Sequence, residues 1–290
     1  MSPELLLTQA LNGLAFAMLL FLVAAGLTLI FGLMDVLNLA HGSFFMLGAY
    51  LGLTFVRTLG SFWLALVLVP PLVALLGLLV ERFLLRRLYG RPGHLDHVLL
   101  TLGLLFILAD MVHWQWGAAI QSLHPPPGLD GTTLILGSSF PVYRLFVIGF
   151  GLVLALALWL LLDRTRWGAV IRAGVHDRQM VQNLGINIDA VYSGAFAFGC
   201  GLAALSGVVG APIVGLYLGL DADVLILALI VIVIGGLGSF AGSFLGSLLV
   251  GQADTFGRAL LPEFSMFLSF GVMALVLLFR PGGLLGRVRL

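Results

Sequence analysis

The chain alternates long apolar runs with short polar stretches. Apolar segments fall near residues 5–33, 42–59, 62–80, 98–116, 144–162, 191–214, 224–250 and 264–279. Runs of about 18 residues or more match the helix length that crosses hydrocarbon, and their repetition points to helices rather than a barrel. The pattern predicts an all-α polytopic membrane protein of about eight hydrophobic helical segments, some broken or re-entrant, in one transmembrane domain over 1–290. Breaks are written into several segments. Pro70-Pro71 lies inside the third and predicts a kink. Gly235-Gly236-Leu237-Gly238-Ser239 lies inside the seventh, where clustered glycines make a bend the natural outcome. Asp35-Val36-Leu37-Asn38-Leu39-Ala40-His41-Gly42-Ser43 interrupts the first long stretch. Placing Asn38 and His41 near membrane depth is costly unless they face a cavity or one another, so this segment is either a polar lining or hinge, or a short loop at the membrane surface.

Composition agrees with burial in lipid: 61% of residues are hydrophobic and 9% charged. All 14 basic residues are arginine, which removes every lysine-dependent chemistry from consideration. Cys200, the single cysteine, excludes an intramolecular disulfide and a cysteine-rich metal site, and suits a small residue at a helix contact. The N-terminus lacks a positive n-region and carries Glu4, so the first span is expected to insert and stay. No metal-ligand spacing, Gly-x-Ser-x-Gly elbow or HExxH occurs, and neither an enzyme's catalytic residues nor a cofactor site is predicted.

Arginine orients the chain. Eleven of the 14 fall in 81–97 (Arg82, Arg86, Arg87, Arg91), in 163–190 and in the tail (Arg280, Arg287, Arg289). The stretches 117–143 and 215–223 hold none. By the positive-inside rule the first three are cytoplasmic and the last two external, with the N-terminus outside and Arg57 a minor exception. Parity then requires 224–250 to be re-entrant or to cross twice. The stretch 117–143 carries Pro125-Pro126-Pro127-Gly128 followed by the strand-like Thr132–Leu136, which suits a small hairpin as well as an ordinary loop.

Small residues recur every four positions in Ala195, Gly199, Ala203, Gly207, Ala211 and Gly215, and again in Gly235, Ser239, Ser243, Ser247 and Gly251. Such stripes let helix backbones approach closely, and either a subunit contact or a sliding wall has the same signature. His41–Phe44 echoes Ala241–Phe244 too weakly to establish a repeat. Asp110 and His113 share a helical face and either pair or mark the end of a span with Trp114 and Trp116.

The most unusual stretch is the polar island 163–189, which carries Arg164, Arg166, Arg172 and Arg178. It has helical spacing, with Ala169, Arg172, Ala173 and His176 on one side, Gly174 weakening its middle and Leu184-Gly185 as a helix stop. A basic segment kept out of lipid either only fixes topology or is offered to a partner.

Four motifs in order resemble one family. GLTLIFGLMDVLNLAHGSFFMLGAY (26–50), TRWGAVIRAGVHDRQMVQNLGINIDAVYSGAFAFGCGLAALSGVV (165–209), VIGGLGSFAGSFLGSLLVG (233–251) and LLFRPGGLLGR (277–287) resemble branched-chain amino acid ABC transporter permeases of the Liv type, in their shorter, H-type subunit. The resemblance implies a multi-pass permease subunit of the bacterial inner membrane, importing branched-chain or related hydrophobic amino acids. It implies a second related permease, two ATP-binding subunits that hydrolyse ATP, a periplasmic substrate-binding protein and surrounding lipid as partners, and no nucleic acid. Carried over, ATPase coupling falls on Arg172, Ala173, Asp177, Leu184 and Gly185 within 163–190. The translocation path or hinge falls on Asn38, His41, Gly42, Gly235, Gly236, Gly238 and Ser239. The chain departs from the family pattern at Val181 and at Asp221-Ala222-Asp223, which leaves urea or short amides as alternative substrates. A self-sufficient channel or secondary transporter, and a structural membrane partner without a pathway, are the other classes.

Overall fold

The computed structural model describes residues 3–89, 94–135 and 137–286, so Arg91, Leu136, Arg287 and Arg289 lie outside the described residues. Its helices are α1 (Pro3–Met34), α2 (His41–Leu59), α3 (Phe62–Phe83, extended by a 3-10 turn at Leu85–Leu88), α4 (His94–Trp116), α5 (Val142–Arg164), α6 (Arg166–His176), α7 (Arg178–Asn183), α8 (Ile188–Val214), α9 (Leu220–Gly235), α10 (Phe240–Leu260) and α11 (Ser265–Phe279). Among the described residues seven helices are long and apolar enough to cross a membrane: α1, α2, α3, α4, α5, α8 and α11. The seventh apolar stretch of the sequence is not one rod. It divides at Gly236–Ser239 into α9 and α10, a helical hairpin, as the glycine cluster predicts.

α1 and α8 form the centre. Residues Ala17 to Ala25 of α1 are almost wholly buried, as are Ala195, Phe196, Cys200, Ala203 and Ala204 of α8. α2, α3 and α10 pack on this pair, while α4, α5 and α11 turn broad apolar faces outward. The small residues explain the close packing. A Cβ at Gly207 of α8 would stand 2.1 Å from the Phe45 carbonyl oxygen of α2, and one at Gly251 of α10 would stand 2.7 Å from Ala17 Cα of α1. Helices in lipid gain little from burying one apolar surface on another, so contact of this closeness is what holds them together. α3 continues as a helix through Pro70-Pro71. In the stretch before α5, β1 (Thr132–Ile135) and β2 (Ser138–Pro141) pair as an antiparallel hairpin, with Thr133 opposite Phe140. Asp110 and His113 are both exposed on α4, whereas Trp116 turns inward and donates to Thr54 Oγ1 at 2.8 Å.

Two chain segments re-enter the bundle without helical structure. The first, Asp35–Ala40, follows α1 through a left-handed Asp35 (φ 52°). It climbs back far enough for the His41 ring to bond the Val23 carbonyl at 3.0 Å, about 16 Å up α1 from its end at 1.5 Å per residue. Thr101 of α4 holds it there: its hydroxyl accepts from the Leu39 amide at 3.2 Å and faces the Leu37 carbonyl at 3.4 Å. The second segment, Gly215–Gly219, follows α8. Leu216 and Gln121 exchange backbone bonds of 2.9 and 2.8 Å, and α9 then begins deep in the bundle beside the start of α2.

The arginine-rich segments gather at one end. Arg86 pairs with Asp189 at 3.1 Å, joining the end of α3 to the start of α8. Leu33 at the end of α1 lies against Gly174 of α6, and Gly32 lies against Gly238 of the α9–α10 turn. That turn carries the tail: the Leu284 amide donates to Ile234 O at 2.8 Å and the Leu285 amide to Gly235 O at 3.1 Å. The hairpin thus satisfies the parity that the arginine pattern demands.

Two consequences are measurable. Gly207→Ala puts a methyl group into the Phe45 carbonyl and is expected to destabilise the protein by about 1–3 kcal/mol, whereas Gly149→Ala, which meets nothing within 4 Å, is expected to be neutral. Thermal unfolding in detergent compares the two. Thr101→Val leaves the Leu39 amide without its acceptor, and hydrogen exchange at that amide is expected to quicken by roughly 10-fold, the equivalent of one lost hydrogen bond.

Candidate functional site

The candidate path and coupling residues occupy three places. The deepest lies where α2 and α9 begin. Asn38 and His41 are wholly buried, which removes the surface-loop alternative for this segment. Asn38 Oδ1 accepts from the Ala40 amide at 3.2 Å and so stands at the N-terminus of α2. Gly42 allows the two helix starts to touch: a Cβ there would lie 2.0 Å from the Asp221 carbonyl oxygen. Beside it, Ser43 donates to Asp221 Oδ2 at 3.0 Å. Among the described residues Asn38 Nδ2 and His41 Nδ1 are buried without partners, an arrangement that costs roughly 1–3 kcal/mol for each atom unless another state satisfies it. A cavity of about 300 Å³ lined by Phe31, Asp35, Val36, Leu37 and Val98 opens beside the same non-helical segment.

The second place is the α9–α10 corner. Gly236 and Gly238 have φ of 99° and 77°, conformations that glycine adopts without strain. Ser239 caps α10 by accepting from the Gly242 amide at 3.1 Å. Gly235 meets the Gly242 backbone so closely that a Cβ would stand 2.3 Å from its carbonyl carbon. Gly235, Gly236, Gly238 and Ser239 are therefore not neighbours of Asn38, His41 and Gly42. They lie at the far end of α9, about 21 Å by helix rise from Asp221, which Gly42 touches.

The third place is the polar island, which is built by three caps. Thr165 accepts from Gly168 to begin α6, Asp177 accepts from Met180 to begin α7, and Asn187 accepts from Ala190 to begin α8, at 3.2, 2.9 and 3.1 Å. The predicted single helix is thus two. The break falls at Asp177 rather than at Gly174, which instead sits within α6 against Ile188 and Leu33. Leu184-Gly185 is a helix stop as expected: Gly185 turns left-handed (φ 80°) and Ile186 donates back to Val181 O at 3.3 Å.

One side of the island is anchored, the other free. Ile171, Val181 and Ile188 are buried with Leu29 and Leu33 of α1 and Tyr192 of α8. The departure from the family pattern at Val181 therefore lies in this buried contact. Ala173, Asp177, Leu184 and Gly185 are exposed together. Sequence reasoning missed Met180, which joins them: Met180 is 57% exposed and Leu184 70%. Arg172 behaves differently. Its guanidinium turns back to the Leu162 carbonyl and to Asp163 Oδ1, the latter at 3.3 Å, bracing the end of α5.

Glu81 was also missed. Wholly buried at the end of α3, it accepts from Ser193 of α8 and from Tyr89 Oη, the latter at 2.9 Å. Tyr89 stacks on His97 of α4 with ring centroids 6.2 Å apart. Burial, then the neighbouring Glu81 charge, push the Tyr89 phenol well above its ordinary range. A lone acid at the end of an apolar run was the available signal in the sequence.

Residues 9–277 match the family described as branched-chain amino acid transport system, permease component. The high-affinity branched-chain amino acid transport system permease protein BraD of Pseudomonas aeruginosa is 30% identical, over 97% of this chain and 96% of its own. The permease proteins LivH of Salmonella typhimurium and Escherichia coli are each 29% identical over 97% of this chain and 96% of theirs. Among solved structures, PsaBC from Streptococcus pneumoniae in complex with Fab aligns with a TM-score of 0.49 at 13% identity, covering 92% of this chain and 89% of that one. A multi-pass helical bundle matched by one family model over nearly its whole length has one reading: the chain belongs to the branched-chain amino acid transport permease family.

Proposed function

We propose that this chain is a permease subunit of an ATP-driven importer for branched-chain or related hydrophobic amino acids in a bacterial inner membrane. The arginine-rich end faces the cytoplasm. There the segment 163–190 meets one of two ATP-binding subunits, which hydrolyse the ATP. A second related permease completes the membrane unit, and a periplasmic binding protein delivers substrate to the opposite end. The observation that carries this reading is the island's two-sidedness. Ala173, Asp177, Met180, Leu184 and Gly185 are exposed and partly apolar, while Ile171 and Val181 fix the same helices to Leu29 and Leu33 of α1 and to Ile188 and Tyr192 of α8.

That arrangement supports transmission of force. A partner seated on the exposed face can displace α6 and α7 only by moving the ends of α1 and α8, because the buried contacts go with them. Arg172 supports the lever from outside the contact by tying α6 to the end of α5. Inward- and outward-open states must bind the ATP-binding subunits with different affinity for hydrolysis to do work on the pathway. Asn38, His41 and Gly42 are then the part of the path that opens, and the corner Gly235–Ser239 is a hinge.

Leu184→Glu alters only exposed surface, and Gly185→Trp adds bulk there with strain confined to the left-handed stop after α7; both are expected to leave the protein inserted and assembled. Substrate-stimulated ATP hydrolysis and uptake in proteoliposomes should fall together by 10-fold or more, roughly the effect of losing a docking hot spot. Arg172→Glu should also uncouple, by releasing the α5–α6 brace. Uptake at the unaltered rate in all three variants would remove the coupling assignment.

A further inference from the structure

The acidic pair Asp221 and Asp223 has no role so far. Asp223 is exposed and accepts from Tyr217 Oη at 2.7 Å, an ordinary surface contact. Asp221 is 3% exposed, in the first turn of α9 and deep in the bundle. Its one side-chain bond among the described residues comes from Ser43. The other buried acids are better provided: Asp254 pairs with Arg258 at 2.8 Å, and Glu81 accepts from two hydroxyls. Among the described residues no cation reaches Asp221. The N-terminus of α9 offsets part of the cost of burying it, but an intramembrane carboxylate with a single hydroxyl neighbour lacks its natural counter-charge.

Its surroundings define what that counter-charge belongs to. Opposite Asp221 stands the N-terminus of α2, the positive end of a helix dipole. The Asn38 amide is held at that terminus through its bond to Ala40, and its Nδ2 is wholly buried with no acceptor among the described residues. The place therefore offers a carboxylate on α9 and, across the contact at Gly42, the N-terminal end of α2 with the Asn38 amide just before it. Half-helix starts in a bilayer are suited to receive anionic groups.

We infer that Asp221 receives the ammonium group of a zwitterionic amino acid, while Asn38 and the first turn of α2 receive its carboxylate. The inference rests on the importer reading above and deepens it. Urea and short amides, which carry no net charge at either end, do not answer this pair of sites. In the structure the two helix starts touch through Gly42 and Asp221, so substrate enters when they part. Ser43 holds the carboxylate in the closed form.

The test uses the intact membrane complex of permeases and ATP-binding subunits, without the soluble binding protein, so that selectivity is read from this chain. Three probes separate the charges: leucine, isopentylamine (leucine without its carboxylate) and 4-methylpentanoate (leucine without its ammonium). Asp221→Asn is expected to weaken binding of leucine and of isopentylamine by roughly 10- to 100-fold, the range for a lost hydrogen bond to a charged group. It should leave 4-methylpentanoate unchanged, and Asp221→Glu should restore part of the loss. A uniform loss for all three probes would mean a structural role and overturn the inference, as would no loss for any. Should Asp221→Asn fail to assemble, the unaltered complex decides alone: 4-methylpentanoate binding as tightly as leucine overturns it. Absence of ATP-dependent amino acid uptake by the complete unaltered transporter would instead remove the importer reading itself.

Discussion

Backbone polar groups inside hydrocarbon must find partners within the protein, and this constraint governs where the fold is allowed to break. The described structure breaks inside the bundle at two places, Asp35–Ala40 and Gly215–Gly219, and each is sealed. Thr101 supplies a donor and acceptor to the first, and the exchange between Leu216 and Gln121 pins the second. Neither break is on a lipid-facing helix. Both follow the two central helices, α1 and α8, and their inner residues Asn38, Ala40 and Leu216 are wholly buried, while Asp35 and Gly219 reach the surface. The consequence is that α2 and α9 start deep within the protein, with their N-termini facing each other.

Close approach of backbones makes that sealing possible. Where α2 crosses α8, Gly48 and Gly207 remove the side chains that would hold the helices apart. Where α1 crosses α10, Thr28 and Ser243 share a hydrogen bond of 2.5 Å between two buried hydroxyls. The same small residues that give cohesion also leave few interlocking side chains to resist sliding. A wall of this kind is firm in any one position yet has modest barriers to a shift along its length, which suits a protein that alternates between two arrangements.

Much of this was legible in the sequence, for identifiable reasons. Helix length, the glycine corner at 236–239 and the side carrying arginine follow from local composition, and the structure agrees with each. Leu184-Gly185 as a stop follows from glycine's access to positive φ. The sequence was silent where the answer depends on what lies opposite. Nothing near Asp35–Ala40 announces that Thr101, more than sixty residues away, holds it inside rather than at the surface. Asp177 outcompeted Gly174 as the break because its carboxylate caps α7, whereas Gly174 is needed for contact with Leu33. The residues expected on the path or at a hinge form two groups because they come from two separate motifs, 26–50 and 233–251, and neither motif shows which helix ends meet. Asp221 stood out only as a departure from a pattern; its meaning came from Ser43 and Asn38.

On the proposed reading, distance is the remaining problem: the ATP-binding subunits meet α6 and α7, while substrate meets α2 and α9 about 15 Å away along α1 by helix rise. α1 offers a continuous rigid connection. Its end at Leu33 touches Gly174 of the island, Gly32 touches Gly238 of the α9–α10 corner, and Val23 holds His41 at the start of α2. One rod thus contacts the docking segment, the hinge of α9 and the entry of α2. Displacement of its end by the island would move both helix starts through separate contacts, with α9 pulled at its corner and α2 at His41. Because Gly42 brings those starts into contact with Asp221 and Leu225 and Ser43 bonds Asp221, a relative shift of α2 against α9 separates them at this point. The bond from Ser43 to Asp221 then breaks as the site opens, and a cation arriving with substrate replaces what the carboxylate loses. Opening and binding are favourable together and less favourable apart, which is the coupling that an importer requires.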